Sequence, residues 1–154
     1  MKQMETILDT MKTIAIVGLS DDPNRPSYGV AHRLIRKGYT IIPVNPQLQG
    51  WDGLKSYASL AEIPADIVVD VVDVFRRHDF IAEVVIDMFN MKHMPKCLWL
   101  QQGIRSEYAH AHCDKQGIIY IEDRCLPVEL SLYEARKRLG NPPNYPDGML
   151  YRQA

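Results

Sequence analysis

The stretch TIAIVGLSDDPNRPSYGVAHRLIRK, from Thr13 to Lys37, decides the fold of this chain. It begins with five β-favouring residues, turns at Gly18 and continues into a helical pattern that starts near Pro26 and ends at Gly38. A strand, a tight loop and a helix in this order are typical of folds that hold phosphate at the helix N-terminus. The glycine series GxGxxG is absent. The loop is therefore either a plain strand-to-helix turn or a phosphate loop of another kind.

Five β-rich runs alternate with helical stretches along the chain. The strands are predicted at residues 13–17, 40–44, 67–72, 97–100 and 117–121, and the helices at residues 4–11, 28–37, 81–89, 108–116 and 128–139. Because the strand runs are apolar on consecutive positions, they favour a sheet covered on both faces. The alternation predicts an α/β fold: a Rossmann-like, doubly wound, mainly parallel five-stranded sheet with helices on both faces. The strand order is expected to reverse beside the first strand.

Length and composition indicate one globular domain. The chain has 154 residues, 46% of them hydrophobic, and a net charge of -1. Residues 1–140 are predicted to form this domain, and residues 141–154 a tail that is either a loose end or an arm on a neighbouring molecule. The near-neutral charge argues against nucleic acid as a partner, and no apolar run is long enough to span a membrane. Three widely spaced cysteines and the lack of a secretory pattern favour a cytoplasmic location.

The first loop carries groups that suit a phosphate. In a doubly wound sheet the ligand binds outside the carboxyl ends of the strands, where this loop lies. Gly18 leaves room for close approach, and Ser20 offers a hydroxyl. Pro26 and Ser27 begin the helix, with Ser27 able to cap it, so that free N–H groups and the helix dipole face the loop. Arg25 is placed to add a charge-assisted contact.

The next two loops favour a nucleotide but not NAD. NAD-binding folds need an acidic residue at the end of the second strand to hold the ribose, and this chain has Asn45 and Pro46 there. After the third strand, Phe75 is suited to flank a flat group, and Arg76 or Arg77 to neutralise a phosphate. The alternative for these two arginines is a solvated charged turn.

The fourth loop offers neutral hydrogen bonds, and no catalytic or metal-binding set is found. Gln101 suits an amide-rich ligand, and Gly103 permits its close approach. The histidines lie in no sequence context that pairs them with a nucleophile, and His110 with Cys113 favours a solvated helix face over a metal site. Cys125 follows an arginine that would lower its pKa, but a packed or idle cysteine is the favoured interpretation.

Taken together, the loop motifs resemble a known family. VGLSDDPNRPSYGVAHRLIRKGYTIIPVNP, YASLAEIP, VDVVDVFRR, LWLQQGI and EDRCLPVE occur in order from about Thr13 to Leu139 and resemble the small stand-alone CoA-binding proteins. These proteins are relatives of the CoA-binding domain of the succinyl-CoA synthetase alpha subunit. The resemblance implies a Rossmann-like domain that holds coenzyme A or an acyl-CoA in its crevice.

The resemblance also implies roles for particular residues. Gly18, Leu19, Ser20, Arg25 and the helix start at Ser27 would surround the phosphates; Asn45, Pro46, Val74, Phe75 and Arg76 would line the nucleotide crevice; Gln101 and Gly103 would face the pantetheine arm. Two positions depart from the family, which commonly has alanine at Leu19 and often lysine at Gln47. The catalytic region and partner domain of the synthetase have no counterpart here.

Three functions follow as hypotheses. The leading one is binding of coenzyme A or an acyl-CoA without catalysis. The first alternative is an enzyme, either a nicotinamide-dependent oxidoreductase or an acyl-CoA-handling protein that uses Cys125. The second is a regulatory or scaffold protein with a vestigial nucleotide site, in which the tail serves association, so homo-oligomer formation stays open.

Overall fold

The computed structural model describes residues 2–140, in which strands and helices alternate. The strands are β1 (Thr13–Val17), β2 (Thr40–Val44), β3 (Gly50–Trp51), β4 (Leu54–Lys55), β5 (Val71–Val74), β6 (Cys97–Leu100) and β7 (Ile119–Ile121). The helices are α1 (Lys2–Thr10), α2 (Pro26–Arg36), α3 (Ile81–Phe89), α4 (Glu107–Gln116) and α5 (Leu126–Leu139), with short 3-10 helices at Leu60–Glu62 and His78–Phe80. These elements hold the loops that form the site.

Five strands form one parallel sheet in the order β2-β1-β5-β6-β7. Val17 pairs with Val44 on one side and Val74 on the other, and Val74 pairs with Leu100. The carboxyl ends of these four strands therefore lie at one edge of the sheet. The order reverses beside β1, which confirms the doubly wound α/β fold and places the switch point between β1 and β5.

Helices cover both faces of the sheet, as predicted. On one face α1, α2 and α5 bury residues such as Ile7, Leu34 and Leu130 against the side chains of alternate strand positions. On the other face α3 and α4 bury Val85 and Cys113 against the remaining positions. Because both faces are covered, the strands are apolar on consecutive positions.

The third strand of the sheet begins later than the sequence predicts. Residues 67–69 belong to no helix or strand, Val68 is exposed and Asp70 lies at a bend, so β5 begins only at Val71. The Asp70 carboxylate accepts hydrogen bonds from the backbone N–H groups of Lys12 and Thr13, each at 2.9 Å. Asp70 thus uses its side chain to join the start of β1, and the prediction of a strand over 67–72 is wrong at its first four residues.

Other differences are small, apart from a hairpin that the sequence analysis missed. α2 begins at Pro26, as expected from Pro26 and Ser27 and two residues before the apolar pattern at 28–37, whereas α5 begins two residues earlier than predicted. The fifth strand begins at Ile119 because Gly117, with a φ of 70°, ends α4. The missed hairpin joins β3 to β4 through Asp52 and Gly53, both at positive φ. An Asp-Gly pair between short apolar runs is a strong hairpin signal.

Residues 141–154, predicted to be a tail, lie outside the described residues. No helix within residues 2–140 is long and apolar enough to cross a membrane. That residues 1–140 act as one functional domain stays a prediction.

Candidate functional site

A cleft of about 560 Å³ opens at the carboxyl edge of the sheet, beside the switch point. We call it the first cleft. It is lined by Gly18, Ser20, Arg25, Pro26, Ser27, Phe75, Arg76, Arg77, Gln101, Gln102 and Ile104. Seven of the twelve predicted site residues are therefore brought together: Gly18, Ser20, Arg25, Ser27, Phe75, Arg76 and Gln101. Their assembly in one cleft follows from the aligned ends of β1, β5 and β6.

Gly18 is required by the loop itself. Its φ is +82°, and a Cβ at this position would overlap the backbone carbonyl oxygen of Phe75. The Gly18 N–H donates to the Val44 carbonyl, and the Phe75 N–H donates to the Val17 carbonyl. The missing side chain thus lets the first loop pack against the chain leaving β5, whereas the sequence analysis assigned the space to a ligand.

The helix α2 presents its N-terminus to the first cleft without a side-chain cap. Arg25 occupies the N-cap position in an extended conformation and makes no capping hydrogen bond, and Pro26 follows it. The predicted cap by Ser27 is wrong, because the Ser27 Oγ accepts from the Ser20 N–H at 3.0 Å. First-turn N–H groups and the positive end of the dipole therefore remain available to an anion.

Ser20 holds the loop in a fixed shape through its oxygen atoms, so the proton of its hydroxyl can still be donated to a ligand. The Ser20 Oγ accepts from the Asp22 N–H at 3.0 Å, and the Asp22 Oδ1 accepts from the Asn24 N–H at 2.9 Å. The Ser20 carbonyl accepts from Trp51 Nε1 at 2.8 Å. The hairpin that sequence reasoning missed thus supports the loop from behind.

Leu19 and Asn45 do not present their side chains to the first cleft. Leu19 is fully buried in the core, so its side chain cannot contact a ligand, and the predicted contact is limited to its backbone. The Asn45 amide donates to the Leu19 carbonyl and accepts from the Gln47 N–H, both at 2.9 Å. Asn45 therefore joins the first two loops. The bulk of Leu19 fills the core and leaves the loop's outer side open.

The two arginines after β5 both lie over one aromatic ring, that of Phe80. The guanidinium carbon of Arg76 lies 4.5 Å from the centroid of the Phe80 ring, and that of Arg77 lies 5.6 Å from it. Phe75 is half-buried and packs against the core. Val74 is fully buried, so the prediction that its side chain lines the crevice is wrong, although its carbonyl accepts from the Gln101 N–H.

The loop after β6 brings one unsatisfied group to the first cleft. The Gln101 Oε1 atom is buried and has no hydrogen-bond partner among residues 2–140. Gly103 does not line the cleft; its N–H donates to the Asp123 Oδ1 at 2.7 Å. This hydrogen bond and the Arg105 guanidinium lower the pKa of Asp123. The prediction that Gly103 faces the ligand is therefore replaced by a role in fixing the loop.

A second cleft, of about 230 Å³, lies on the β2 side of the first. It is lined by Val17, Gly18, Val44, Pro46, Ala58, Arg76, Phe80, Glu83, Val84 and Asp87. Gly18 and Arg76 line both clefts, so the two are adjacent. The predicted residue Pro46 lies here. Glu83 and Asp87 are not among the predicted site residues, although their spacing of four residues puts them on one face of α3.

Asp73 and Glu129 are fully buried acids that line neither cleft. Asp73 is fully buried on β5, neither carboxylate oxygen has a partner among the described residues, and burial raises its pKa well above 3.8. Glu129 is also buried; burial raises its pKa against the opposing effect of Arg124, whose Nη1 lies 3.3 Å from Glu129 Oε1. Cys125, which follows Arg124 in the sequence, is half-buried against the core and does not line the first cleft.

No histidine base meets a serine, threonine or cysteine nucleophile in the part of the chain that the structure describes. No histidine within residues 2–140 shares a hydrogen bond with a serine, threonine or cysteine side chain: His78, His93 and His112 contact backbone carbonyls. The same residues include no group of three His, Cys, Asp or Glu side chains placed to hold a metal ion. The arginines and the uncapped N-terminus of α2 at the first cleft are suited to binding an anionic ligand.

Comparison with known proteins identifies relatives. A family model described as a CoA binding domain matches residues 12–131. The uncharacterized protein YneT of Bacillus subtilis (strain 168) is 37% identical over 126 residues, which cover 82% of this chain and 90% of YneT. The alpha subunit of an ADP-forming acetate–CoA ligase II of Pyrococcus furiosus is 31% identical over 75 residues, which cover 48% of this chain and 16% of the subunit.

A solved structure supports the fold. The Thermus thermophilus protein designated cell-free ID.343 superposes with a TM-score of 0.78 and is 34% identical, covering 86% of this chain and 97% of its own.

Proposed function

This chain belongs to the family of CoA binding domains, and on that premise we propose that it binds coenzyme A or an acyl-CoA in the two adjacent clefts, without turnover of its own. The diphosphate lies against the first loop and the N-terminus of α2. The nucleoside occupies the second cleft, and the pantetheine arm runs along the first cleft to Gln101. The ligand is thus a small molecule; a cytoplasmic location and homo-oligomer formation stay predictions.

The observation that carries this proposal is the unsatisfied oxygen of Gln101. A buried polar atom without a partner costs about 1–3 kcal/mol, so a rotation of the Gln101 side chain that pairs Oε1 with a donor of a ligand in the first cleft would remove this cost. The pantetheine arm of coenzyme A has two amide N–H groups. A volume of about 560 Å³ falls within the usual range for small-molecule sites.

Charge at the first cleft supports a diphosphate. Arg25, Arg76 and Arg77 all line it, although the whole chain has a net charge of -1. The uncapped N-terminus of α2 adds a partial positive charge at the same place. These groups together suit an anion with more than one negative charge.

The ribose-binding acid of an NAD site is absent from the end of β2. The residue there is Asn45, and its amide already bonds to the Leu19 carbonyl and the Gln47 N–H. Asn45 therefore supplies no carboxylate to the ribose of a nicotinamide dinucleotide. Within residues 2–140 no histidine is hydrogen-bonded to a serine, threonine or cysteine side chain, so the proposal includes no reaction step.

Isothermal titration calorimetry of the full chain with coenzyme A, acetyl-CoA, NAD and ATP tests the proposal. We expect one-to-one binding of coenzyme A with a dissociation constant below millimolar, and weaker binding of NAD and ATP. Absence of coenzyme A binding at millimolar concentration, or tighter binding of NAD, would contradict it.

A further inference from the structure

The second cleft has an unusual charge for a site that would hold a phosphorylated ribose. Among the described residues that line it, two are carboxylates, Glu83 and Asp87, and one is a cation, Arg76. Coenzyme A carries a phosphate on the 3′-oxygen of its ribose, and this phosphate has close to two negative charges at neutral pH. A phosphate placed there would meet like charges.

The position of the ribose follows from the fold. In doubly wound sheets the phosphate lies at the first loop, and the ribose lies toward the end of the second strand. Here Val44 and Pro46 at the end of β2 line the second cleft, while Ser20 and Arg25 of the phosphate loop line the first. At this end of a nucleotide, carboxylates accept hydrogen bonds from free ribose hydroxyls, whereas cationic side chains bind a phosphate on the ribose.

The two carboxylates differ in how they are held. Both oxygens of Asp87 accept backbone N–H groups, from Leu60 at 2.7 Å and from Ala61 at 3.1 Å, so this side chain is fixed. Glu83, one turn earlier on α3, is exposed and forms no hydrogen bond or ion pair among residues 2–140. Glu83 is therefore available to accept from a ribose hydroxyl.

The neighbouring cations have other partners, although the Phe80 ring beneath the Arg76 guanidinium also lines the second cleft. The guanidinium of Arg76 lies over the Phe80 ring, and its Cδ lies beside Gly18, at the junction with the phosphate loop. Lys92 Nζ donates to the Ala61 carbonyl at 2.6 Å, and Lys55 lies over the Tyr57 ring.

Gln47, which follows the cleft residue Pro46 and is exposed, has no charge. The backbone N–H of Gln47 is already bound to Asn45.

We infer that Glu83 and Asp87 make this site select against a ribose 3′-phosphate, so that dephospho-CoA binds more tightly than coenzyme A. The inference rests on the proposed function, because it assumes that a pantetheine nucleotide occupies the clefts. The ligand class is accordingly a nucleoside diphosphate that carries a pantetheine arm and a free 3′-hydroxyl. The diphosphate and the arm, which both ligands share, supply most of the affinity.

Calorimetric titration of the full chain with the matched pair coenzyme A and dephospho-CoA tests this selection. We expect dephospho-CoA to bind about three- to ten-fold more tightly at low ionic strength, and the ratio to shrink at about 0.5 M salt because the charges are exposed. Glu83→Gln is expected to reduce the ratio, whereas the control Glu107→Gln, an exposed glutamate at the start of α4, is expected to leave it unchanged.

The outcomes separate the two proposals. Tighter binding of coenzyme A, equal binding of the two ligands, or a ratio that Glu83→Gln leaves unchanged would overturn the selection while the proposed function stands. Failure of both ligands to bind would overturn the proposed function itself.

Discussion

The Cα of Gly18 lies so close to the backbone of Phe75 that a Cβ would overlap the Phe75 carbonyl oxygen. This contact joins the loop after β1 to the loop after β5, and both loops line the first cleft. The glycine therefore serves the packing of two binding loops against each other. The contact with Phe75 explains the need for glycine at position 18 without reference to a ligand.

Gly18→Ala is expected to destabilise the protein by about 2 kcal/mol or more, because a left-handed φ and a backbone overlap both oppose the new Cβ. Urea unfolding followed by circular dichroism measures the change. Gly29→Ala is the matched control: Gly29 lies within α2 with open space around it, and alanine there is expected to stabilise by up to about 1 kcal/mol. Equal stability of the two variants would contradict the account.

Trp51 supports the first loop, which follows β1, through one hydrogen bond. Its Nε1 donates to the Ser20 carbonyl at 2.8 Å, so Trp51→Phe removes the donor and keeps most of the packing. We expect about 1 kcal/mol of lost stability and about three- to ten-fold weaker coenzyme A binding.

Trp99→Phe is the control, because Trp99 Nε1 donates at the same distance to Arg124, which does not line either cleft. Calorimetry is expected to show unchanged coenzyme A affinity in this variant. A similar loss of affinity in both tryptophan variants would mean that the hairpin has no particular role.

Much of this fold was predictable because its signals are local. The strands at residues 13–17, 40–44 and 97–100 agree with the structure at both ends, since apolar runs bounded by turns define buried parallel strands. The start of β5 was not predictable, because it depends on hydrogen bonds from Lys12 and Thr13 to Asp70. These two residues precede Asp70 by 58 and 57 positions. Periodicity carries no information about such a contact.

The site was predicted less completely, for a similar reason. Ser20, Arg25 and Gln101 line the first cleft because loops at strand ends converge in a parallel sheet. Leu19 and Val74 turn inward instead, and the direction of a side chain next to a strand end depends on the core that it fills. Likewise, the hydrogen bonds of Asn45 to Leu19 and Gln47 could not be predicted from the fact that this residue is an asparagine.

The buried carboxyl of Asp73 is expected to give a distinctive pH dependence of stability. Burial raises its pKa well above 3.8, so the folded state keeps the proton at pH values where the unfolded state has lost it. The unfolded state then binds fewer protons, and Asp73 lowers stability as the pH rises above about 4 toward its folded pKa.

Asp73→Asn removes this titration while keeping the shape, so we expect the variant to become more stable relative to the wild type as the pH rises through that window. Urea unfolding of both proteins between about pH 4 and pH 8 measures the difference. Asp66→Asn, at an exposed position, is the control. A stability difference that stays constant with pH for Asp73→Asn would contradict the assignment.

Arg25 is expected to contribute charge to ligand binding. It stands at the N-cap of α2 and lines the first cleft, so Arg25→Gln removes a cation beside the proposed diphosphate. We expect about three- to ten-fold weaker coenzyme A binding at low salt and a shallower dependence on salt. Arg36→Gln, at the opposite end of the same helix, is expected to change neither. Equal effects of both substitutions would indicate only a general effect of net charge.

Gln47 is the position at which the choice between a ribose hydroxyl and a ribose phosphate can be reversed. Its exposed side chain follows Pro46, which lines the second cleft together with Glu83 and Asp87. Gln47→Lys adds a cation there without disturbing the Gln47 N–H bond to Asn45. We therefore expect coenzyme A to gain about three- to ten-fold in affinity while dephospho-CoA changes little, and the gain to fade at high salt. Calorimetry with both ligands measures this; an equal gain for both would place the new charge at the diphosphate and argue against a ribose in the second cleft.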